Sequence, residues 1–223
     1  TAYYVMEHFN GITLKAYTDK YGRISAQQAV YIAEHISVAF DVIHNGGIIH
    51  RDVSPDNIML CRNGSVKLID FGAARSFTDD DNGLSVMLKQ GFTPLEQYQR
   101  NGRQGAWTDI YSLGASLYYA LTLCMPDDPM SRFDDDSTFD AQLSPLPEKL
   151  SGLICKACAV RAKDRFQSAE ELMQALKSCD IRSCGFDEIR LHRGDVYPPR
   201  TELTYLSRSA VQHVKIAGEM MPI

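Results

Sequence analysis

"HRDVSPDNIML", residues 50–60, decides how this chain is read: one Arg, two Asp, one Asn and a Pro stand in eleven positions bounded by apolar residues. Charges and a proline end a buried strand, so the apolar flanks must hold them in a loop. Gly47-Ile48-Ile49 leads in. Asn57-Ile58-Met59-Leu60, a turn at Asn63-Gly64 and Val66-Lys67-Leu68-Ile69 lead out to Asp70-Phe71-Gly72. The spacing predicts two short strands joined by a turn, with the charged loop on one side and a second Asp on the other. Ionised carboxylates braced in this way suggest a hard cation, since Mg²⁺ takes oxygen ligands and tolerates one or two carboxylates plus substrate phosphates. Asp52, Asn57 and Asp70 supply such oxygens. Each alone also fits a turn cap; together, on a hairpin that turns them toward each other, they point to one shared pocket.

Composition sets the frame. The chain has 223 residues, 44% hydrophobic and 23% charged, enough for one sizeable core. Its longest apolar runs fall short of the roughly 20 residues that cross a bilayer, so no membrane span is expected. A formal net charge of −5 without any Lys/Arg run excludes an electrostatic footprint for nucleic acid or anionic lipid. Six scattered cysteines and the absence of a leader pattern in TAYYVMEHF fit a reducing cytosol, giving a cytoplasmic expectation. Cys155 and Cys158 form a CxxC inside a helical pattern, with no second pair at zinc spacing, and read as ordinary small packing residues.

Along the chain, Ala2 to Met6 reads as a strand that stops in a loop at Glu7-His8-Phe9-Asn10-Gly11. From the cap Ser25, Ala29, Ile32, Ala33, Ile36, Phe40 and Ile43 recur at helical spacing until Asn45-Gly46-Gly47 ends the pattern. Residues 73–90 turn polar and read as a mobile loop. Helices are expected over residues 109–123 and 147–160, and from Ser168 with a capping-box pattern. The Asp-rich stretch 127–143 between them reads as loop plus one short helix.

At this point the sequence resembles the protein kinases. His50-Arg51-Asp52, with Pro55 and Asn57, is similar to their catalytic loop, and Asp70-Phe71-Gly72 to their metal-binding motif. Pro94-Leu95-Glu96 stands where they carry Ala-Pro-Glu, Asp109 in Thr-Asp-Ile-Tyr-Ser-Leu-Gly where their central helix begins, and Arg165 where a late Arg pairs with that Glu. The resemblance covers about residues 1–178. It implies a mainly α, α+β kinase-like fold: a helical C-terminal lobe with a small β-hairpin carrying the catalytic and metal-binding loops. Residues 1–11 would be the end of the small-lobe strand and the hinge, 12–179 the lobe, and 180–223 an extension that cannot be assigned.

By that resemblance the chain is a bacterial-type serine/threonine protein kinase using ATP and Mg²⁺ (or Mn²⁺) on a protein substrate. Asp52 would accept or orient the hydroxyl proton, while Asn57 and Asp70 hold the metal ions. Arg51 would meet a phosphate or acid in the activation loop, for which Ser76, Thr78 and Ser85 are candidates. Asp109 would brace the catalytic loop, and Glu96 with Arg165 would form a buried ion pair. Met6 would be the gatekeeper, the Glu7 carbonyl and Phe9 amide would face adenine, and Met59 would lie beneath it. His50 and Phe71 would remain from the hydrophobic stack between the lobes.

Two departures follow. Upstream of the hinge stand only Thr1 and Ala2, so the Gly-rich loop, its strand Lys and the Lys-orienting Glu are not among these residues. A small lobe or partner chain is expected to cover the apolar upper face. Further, kinases of this kind carry Lys two residues after the catalytic Asp and Thr in the substrate loop. Here those places hold Ser54 and Lys89, so either Lys89 is an ordinary solvated loop Lys or it replaces the missing charge from the other side, beside Ser54. A non-catalytic pseudokinase or interaction module is the alternative, favoured by the missing Lys and opposed by the retained Asp52, Asn57 and Asp70. A small-molecule phosphotransferase of the aminoglycoside or choline type explains Arg51, Glu96 and Arg165 less well.

Overall fold

The structure is a computed structural model that describes residues 9–76, 88–99, 101–183 and 185. Eight α-helices and five short strands are present among the described residues. β1 (Gly11–Thr13) pairs antiparallel with β3 (Ile58–Cys61), which pairs antiparallel with β4 (Val66–Leu68), giving the order β1-β3-β4. β2 (Ile48–Ile49) pairs with β5 (Arg75–Ser76) in a separate two-stranded ribbon. The predicted hairpin is therefore the β3–β4 half of a three-stranded sheet. Its third strand comes from the end of a stretch read as loop, where Gly11 alone permits the approach: a Cβ there would stand 2.2 Å from the Leu60 carbonyl oxygen. The stretch 73–90, also read as loop, supplies β5, because Ile48 and Ile49 need backbone partners and find them in Ser76 and Arg75.

The helices form the lobe. α1 (Leu14–Tyr21), which the sequence reading did not anticipate, starts at a Thr13 side-chain cap. α2 (Ala26–Asn45) begins at a complete capping box, with Ser25 Oγ accepting from the Gln28 amide and Gln28 Oε1 accepting from the Ser25 amide. α4 (Ala106–Thr122) is buried around nearly its whole circumference, as a helix apolar on all sides must be. Glycine brings α7 (Glu148–Ala157) against it: a Cβ on Gly114 would lie 2.6 Å from Cys158 Sγ and 2.9 Å from Ala157 Cβ. Cys158 thus fills a helix–helix contact, while Cys155 Sγ points to Asp140. α8 (Ala169–Lys177) uses half of its expected box. Ser168 Oγ accepts from the Glu171 amide, but the Glu171 carboxylate reaches back one residue further, to the Gln167 amide.

The Asp-rich stretch 127–143 holds two helices rather than one, α5 (Pro129–Asp134) and α6 (Ser137–Leu143). Its acids are structural. Asp128 caps α5 through Met130 N, and Asp136 takes a forked pair of bonds from Arg132 at 2.7 and 3.1 Å. The Arg132 guanidinium lies 3.7 Å over the Phe139 ring, which stacks on Tyr118 at 4.3 Å, so the charges anchor an aromatic pack. One hydrophobic cluster runs from Leu14 to Cys179, and no described helix is long and apolar enough to cross a membrane.

The short α3 (Leu95–Tyr98) is tied to this core by charge. Arg165, 2% exposed, donates to both Glu96 carboxylate oxygens at 2.8 and 3.1 Å and to the carbonyls of Ala159, Val160 and Trp107. Thr108 Oγ1 gives Glu96 a third bond at 3.0 Å. Removing one partner leaves the other charge buried alone. Arg165→Met is therefore expected to lower unfolding free energy by about 3–5 kcal/mol, while Glu96→Leu/Arg165→Met together recover much of it. Urea denaturation of the intact protein checks this, and a single variant as stable as the parent would contradict the buried pair.

Candidate active site

The site hangs on Asp109, in the first turn of α4 and fully buried. Its Oδ2 accepts from the His50 amide and its Oδ1 from the Arg51 amide, each at 2.8 Å. His44 Nε2 adds a third contact to Oδ2 at 2.8 Å. These bonds hold Arg51 at φ 68, a left-handed backbone that a bulky side chain avoids without such support. Gln97 of α3 donates to the Arg51 carbonyl at 3.1 Å, so the substrate-side helix and the loop are fastened at the same residue.

The next residue is Asp52. Asn57 Nδ2 donates to its Oδ2 at 2.9 Å and to its backbone carbonyl at 2.7 Å. Its other oxygen, Oδ1, lies 2.7 Å from Lys89 Nζ, which also donates to Ser54 Oγ at 3.0 Å. Asp52, Asn57, Ser54 and Lys89 thus form one contiguous set. Pro55 ties the loop to the unanticipated helix: its carbonyl accepts from Lys15 N in the first turn of α1.

The hairpin carries the second Asp. Ile58 pairs with Leu68, and one step further the Ile69 amide donates to the Asn57 carbonyl at 2.9 Å, so Asn57 and Asp70 stand at the same open end. Asp70 is exposed, at φ 63, with Oδ1 accepting a local bond from the Gly72 amide at 3.2 Å. The structure therefore joins Asp52 to Asn57 directly and sets Asp70 beside them through the backbone. Because Asn57 spends its Nδ2 on Asp52, Oδ1 is the atom of this buried side chain that would be offered to a cation. One carboxylate and one amide oxygen on an open edge suit Mg²⁺, which keeps waters and phosphates in its shell. No group of three His, Cys, Asp or Glu able to enclose a metal stands among the described residues.

His50 stacks edge-on against Phe71 at 4.6 Å between ring centres and is fully buried. Its Nε2 faces the Ile69 carbonyl at 3.1 Å and its Nδ1 faces the Asp52 amide at 3.3 Å. An amide can only donate and a carbonyl only accept, which assigns a neutral ring with hydrogen on Nε2. Burial pushes its pKa down, outweighing the upward pull of Asp109.

On the sheet face away from the core, strand alternation buries Ile58 and Leu60 and leaves Met59 half-buried opposite Lys67. Lys67 Nζ lies 5.9 Å over the Phe9 ring, so Phe9, Met59 and Lys67 share one outer face. Met6 and Glu7, expected at the adenine, and the candidate phosphosites Thr78 and Ser85 lie outside the described residues, whereas Ser76 lies in β5. His44 and Gln97 escaped the sequence reading. Neither carries a local signal, since His44 meets Asp109 across 65 residues and Gln97 meets Arg51 across 46.

Comparison with known proteins identifies the family. The family profile described as "Protein kinase domain" matches residues 1–177. The chain is 31% identical over 180 residues to a probable serine/threonine-protein kinase PknB of Lactococcus lactis, covering 77% of this chain and 29% of that protein. It is also 31% identical over 210 residues to serine/threonine-protein kinase PknB of Mycobacterium tuberculosis, covering 88% of this chain and 31% of that one. It therefore spans less than a third of the length of these relatives. A solved structure described as "PpkA-294 apo form" superposes with a TM-score of 0.62 at 29% identity, over 76% of this chain and 61% of the other. With the Asp52–Asn57 pair and the Glu96–Arg165 clamp standing where the family's motifs require them, the chain belongs to the protein kinase domain family.

Proposed function

We propose that this chain is the catalytic lobe of a serine/threonine protein kinase that moves the γ-phosphoryl group of ATP to a protein hydroxyl. The observation that carries this is the Asp52 carboxylate, oriented by Asn57 at 2.9 Å at the open end of the hairpin that also presents Asp70. Asp52 receives the acceptor's hydroxyl hydrogen bond and takes its proton as the oxygen attacks phosphorus. Asn57 Oδ1 and the Asp70 carboxylate would hold Mg²⁺, which would supply positive charge against the phosphates. Most of the rate gain then comes from positioning, and the Asp109 bonds to His50 and Arg51 provide it.

The outer face with Phe9 and Met59 is where the nucleotide base and a covering small lobe or partner are placed. The cytosol supplies ATP and keeps thiols reduced, which suits the cysteines of this chain.

Two outcomes are expected from the intact protein. Asp52→Asn lowers kcat for transfer of labelled γ-phosphate from ATP–Mg²⁺ to casein by about 10²–10⁴-fold with its unfolding midpoint unchanged within error; a variant as active as the parent would remove Asp52 from the reaction. His50 generates a pH dependence. Its ring is harder to protonate folded than unfolded, so the unfolded chain binds more protons in acid and unfolding is favoured there. The contribution is complete above the ordinary value of 6.5 and is lost as pH falls below it. Urea midpoints between about pH 5 and pH 8 should therefore drop on the acid side for the parent and drop less for His50→Asn. Parallel curves for the two proteins would rule the effect out.

A further inference from the structure

Lys89 is the one cation that touches Asp52 among the described residues, and the chain has gone to some length to place it there. Its carbonyl accepts from the amides of Phe92 and Thr93, both at 3.0 Å, and its own amide donates to Thr93 Oγ1 at 2.9 Å, closing a tight turn over residues 89–93. Gly91 makes the turn possible. It sits at φ +80, and a Cβ there would stand 2.5 Å from the Pro126 carbonyl oxygen, so the turn is seated on the loop after α4. From this seat the side chain crosses to the catalytic loop and ends between Asp52 Oδ1 and the fully buried Ser54 Oγ. The two side chains are 29% and 20% exposed, and the modest stability of such a partly screened pair does not by itself account for the placement, so another reason is needed.

The chemistry supplies one. If Asp52 takes the proton of an acceptor hydroxyl, the incoming phosphoryl group brings a second negative charge to the same oxygen, and a cation must separate the two. Within loop 50–57 the position two residues beyond Asp52 is occupied by Ser54, which can offer only a hydroxyl. We propose that Lys89 is the catalytic cation of this site. It contacts the transferring phosphoryl group from the substrate-side segment, with Ser54 holding its ammonium when no phosphate is there. This rests on the kinase function proposed above. In the step, the acceptor oxygen–phosphorus bond forms, the bond from phosphorus to the bridging oxygen breaks with its electron pair leaving on ADP, and the hydroxyl proton passes to Asp52. Lys89 keeps its proton throughout. A lysine on the catalytic loop would be present whenever the loop is folded, whereas Lys89 arrives only when turn 89–93 is formed. Charge neutralisation and assembly of the substrate-side segment are thereby one event.

The test uses the intact protein in four forms: parent, Lys89→Met, the exchange Ser54→Lys/Lys89→Thr, and Asp52→Asn. Lys89→Met is expected to lower kcat about a hundredfold with KM for ATP changed far less. The exchange, which sends a lysine from position 54 into the space Lys89 vacates, is expected to recover kcat to within about tenfold of the parent. A Lys89→Met enzyme with parental kcat, or an exchange no better than Lys89→Met, overturns the proposal. A second readout needs no turnover. An ATP acyl phosphate carries its acyl group at the γ-phosphate and transfers it to a neighbouring amine, so Lys89 should be acylated in parent and Asp52→Asn alike and protected by excess ATP–Mg²⁺. Peptide mapping that finds other lysines acylated and Lys89 untouched overturns it. No phosphoryl transfer by the parent would instead refute the kinase function itself, which separates the two failures.

Discussion

The carboxylate of Asp109 is the constraint on which the rest depends. A charge buried completely in the first turn of α4 is tolerable only when its oxygens are saturated with donors, and here the donors are the amides of His50 and Arg51 and the ring of His44. The helix cannot bury without the loop, and the loop cannot take its left-handed bend at Arg51 without the helix. One residue earlier, Thr108 gives its hydroxyl to Glu96, which Arg165 grips from the far side. A single helical turn thus fastens both walls of the site, the catalytic loop through Asp109 and the substrate-side helix α3 through Thr108. Gln97 closes the circuit by donating from α3 to the Arg51 carbonyl.

Two of the four non-glycine residues at positive φ among the described residues lie at this site. Arg51 and Asp70 both hold positive φ without being glycine, Arg51 preceding the Asp52 carboxylate and Asp70 carrying one. Such conformations persist when neighbours over-determine them. At Arg51 the determinants are buried bonds on either side of the residue. At Asp70 they are the hairpin register behind it, which fixes Ile69 against Asn57, and the short 3₁₀ turn Phe71–Ala73 ahead of it, whose Phe71 packs against His50. His50 is the joint between the two strained points, since one ring nitrogen bonds the residue after Arg51 and the other bonds the residue before Asp70. A neutral imidazole is the side chain that both accepts and donates in opposite directions.

What could be read from residues alone follows from how local its cause was. α2 was legible because its cap, its apolar period and its terminating glycines lie within one stretch, and β3–β4 because Asn63-Gly64 marks the turn between two apolar runs. The catalytic loop was legible because Asp52 and Asn57 are five residues apart and meet within the loop that carries them. The clamp from Glu96 to Arg165 was legible only through resemblance, since 69 residues separate the partners. β1, β5 and α1 were not, because each is short and exists by pairing or packing against distant chain: Gly11 against Cys61, Arg75 against Ile49, Lys15 N against Pro55. The acids of residues 127–143 misled for a related reason. Their polarity reads as loop, whereas Asp128 and Asp136 serve as a cap and as the partner of Arg132, roles that create helices.

Charge placement, finally, brings partners to the Asp52 carboxylate by two covalent routes. Asp52 presents two oxygens, and their partners come from opposite directions: Asn57 from within the loop, Lys89 from a turn 35 residues beyond Ser54. What the carboxylate requires is a donor at a given point in space, and electrostatics is indifferent to the covalent route by which that donor arrives. The route matters for mechanical reasons. Asn57 is bound to the hairpin and Asp109 to the central helix, both parts of the buried core. Lys89 depends on a five-residue turn that leans on Pro126 through a glycine. The Asn57 contact to Asp52 is thereby built into the core of the lobe, while the Lys89 contact depends on a turn that rests against it.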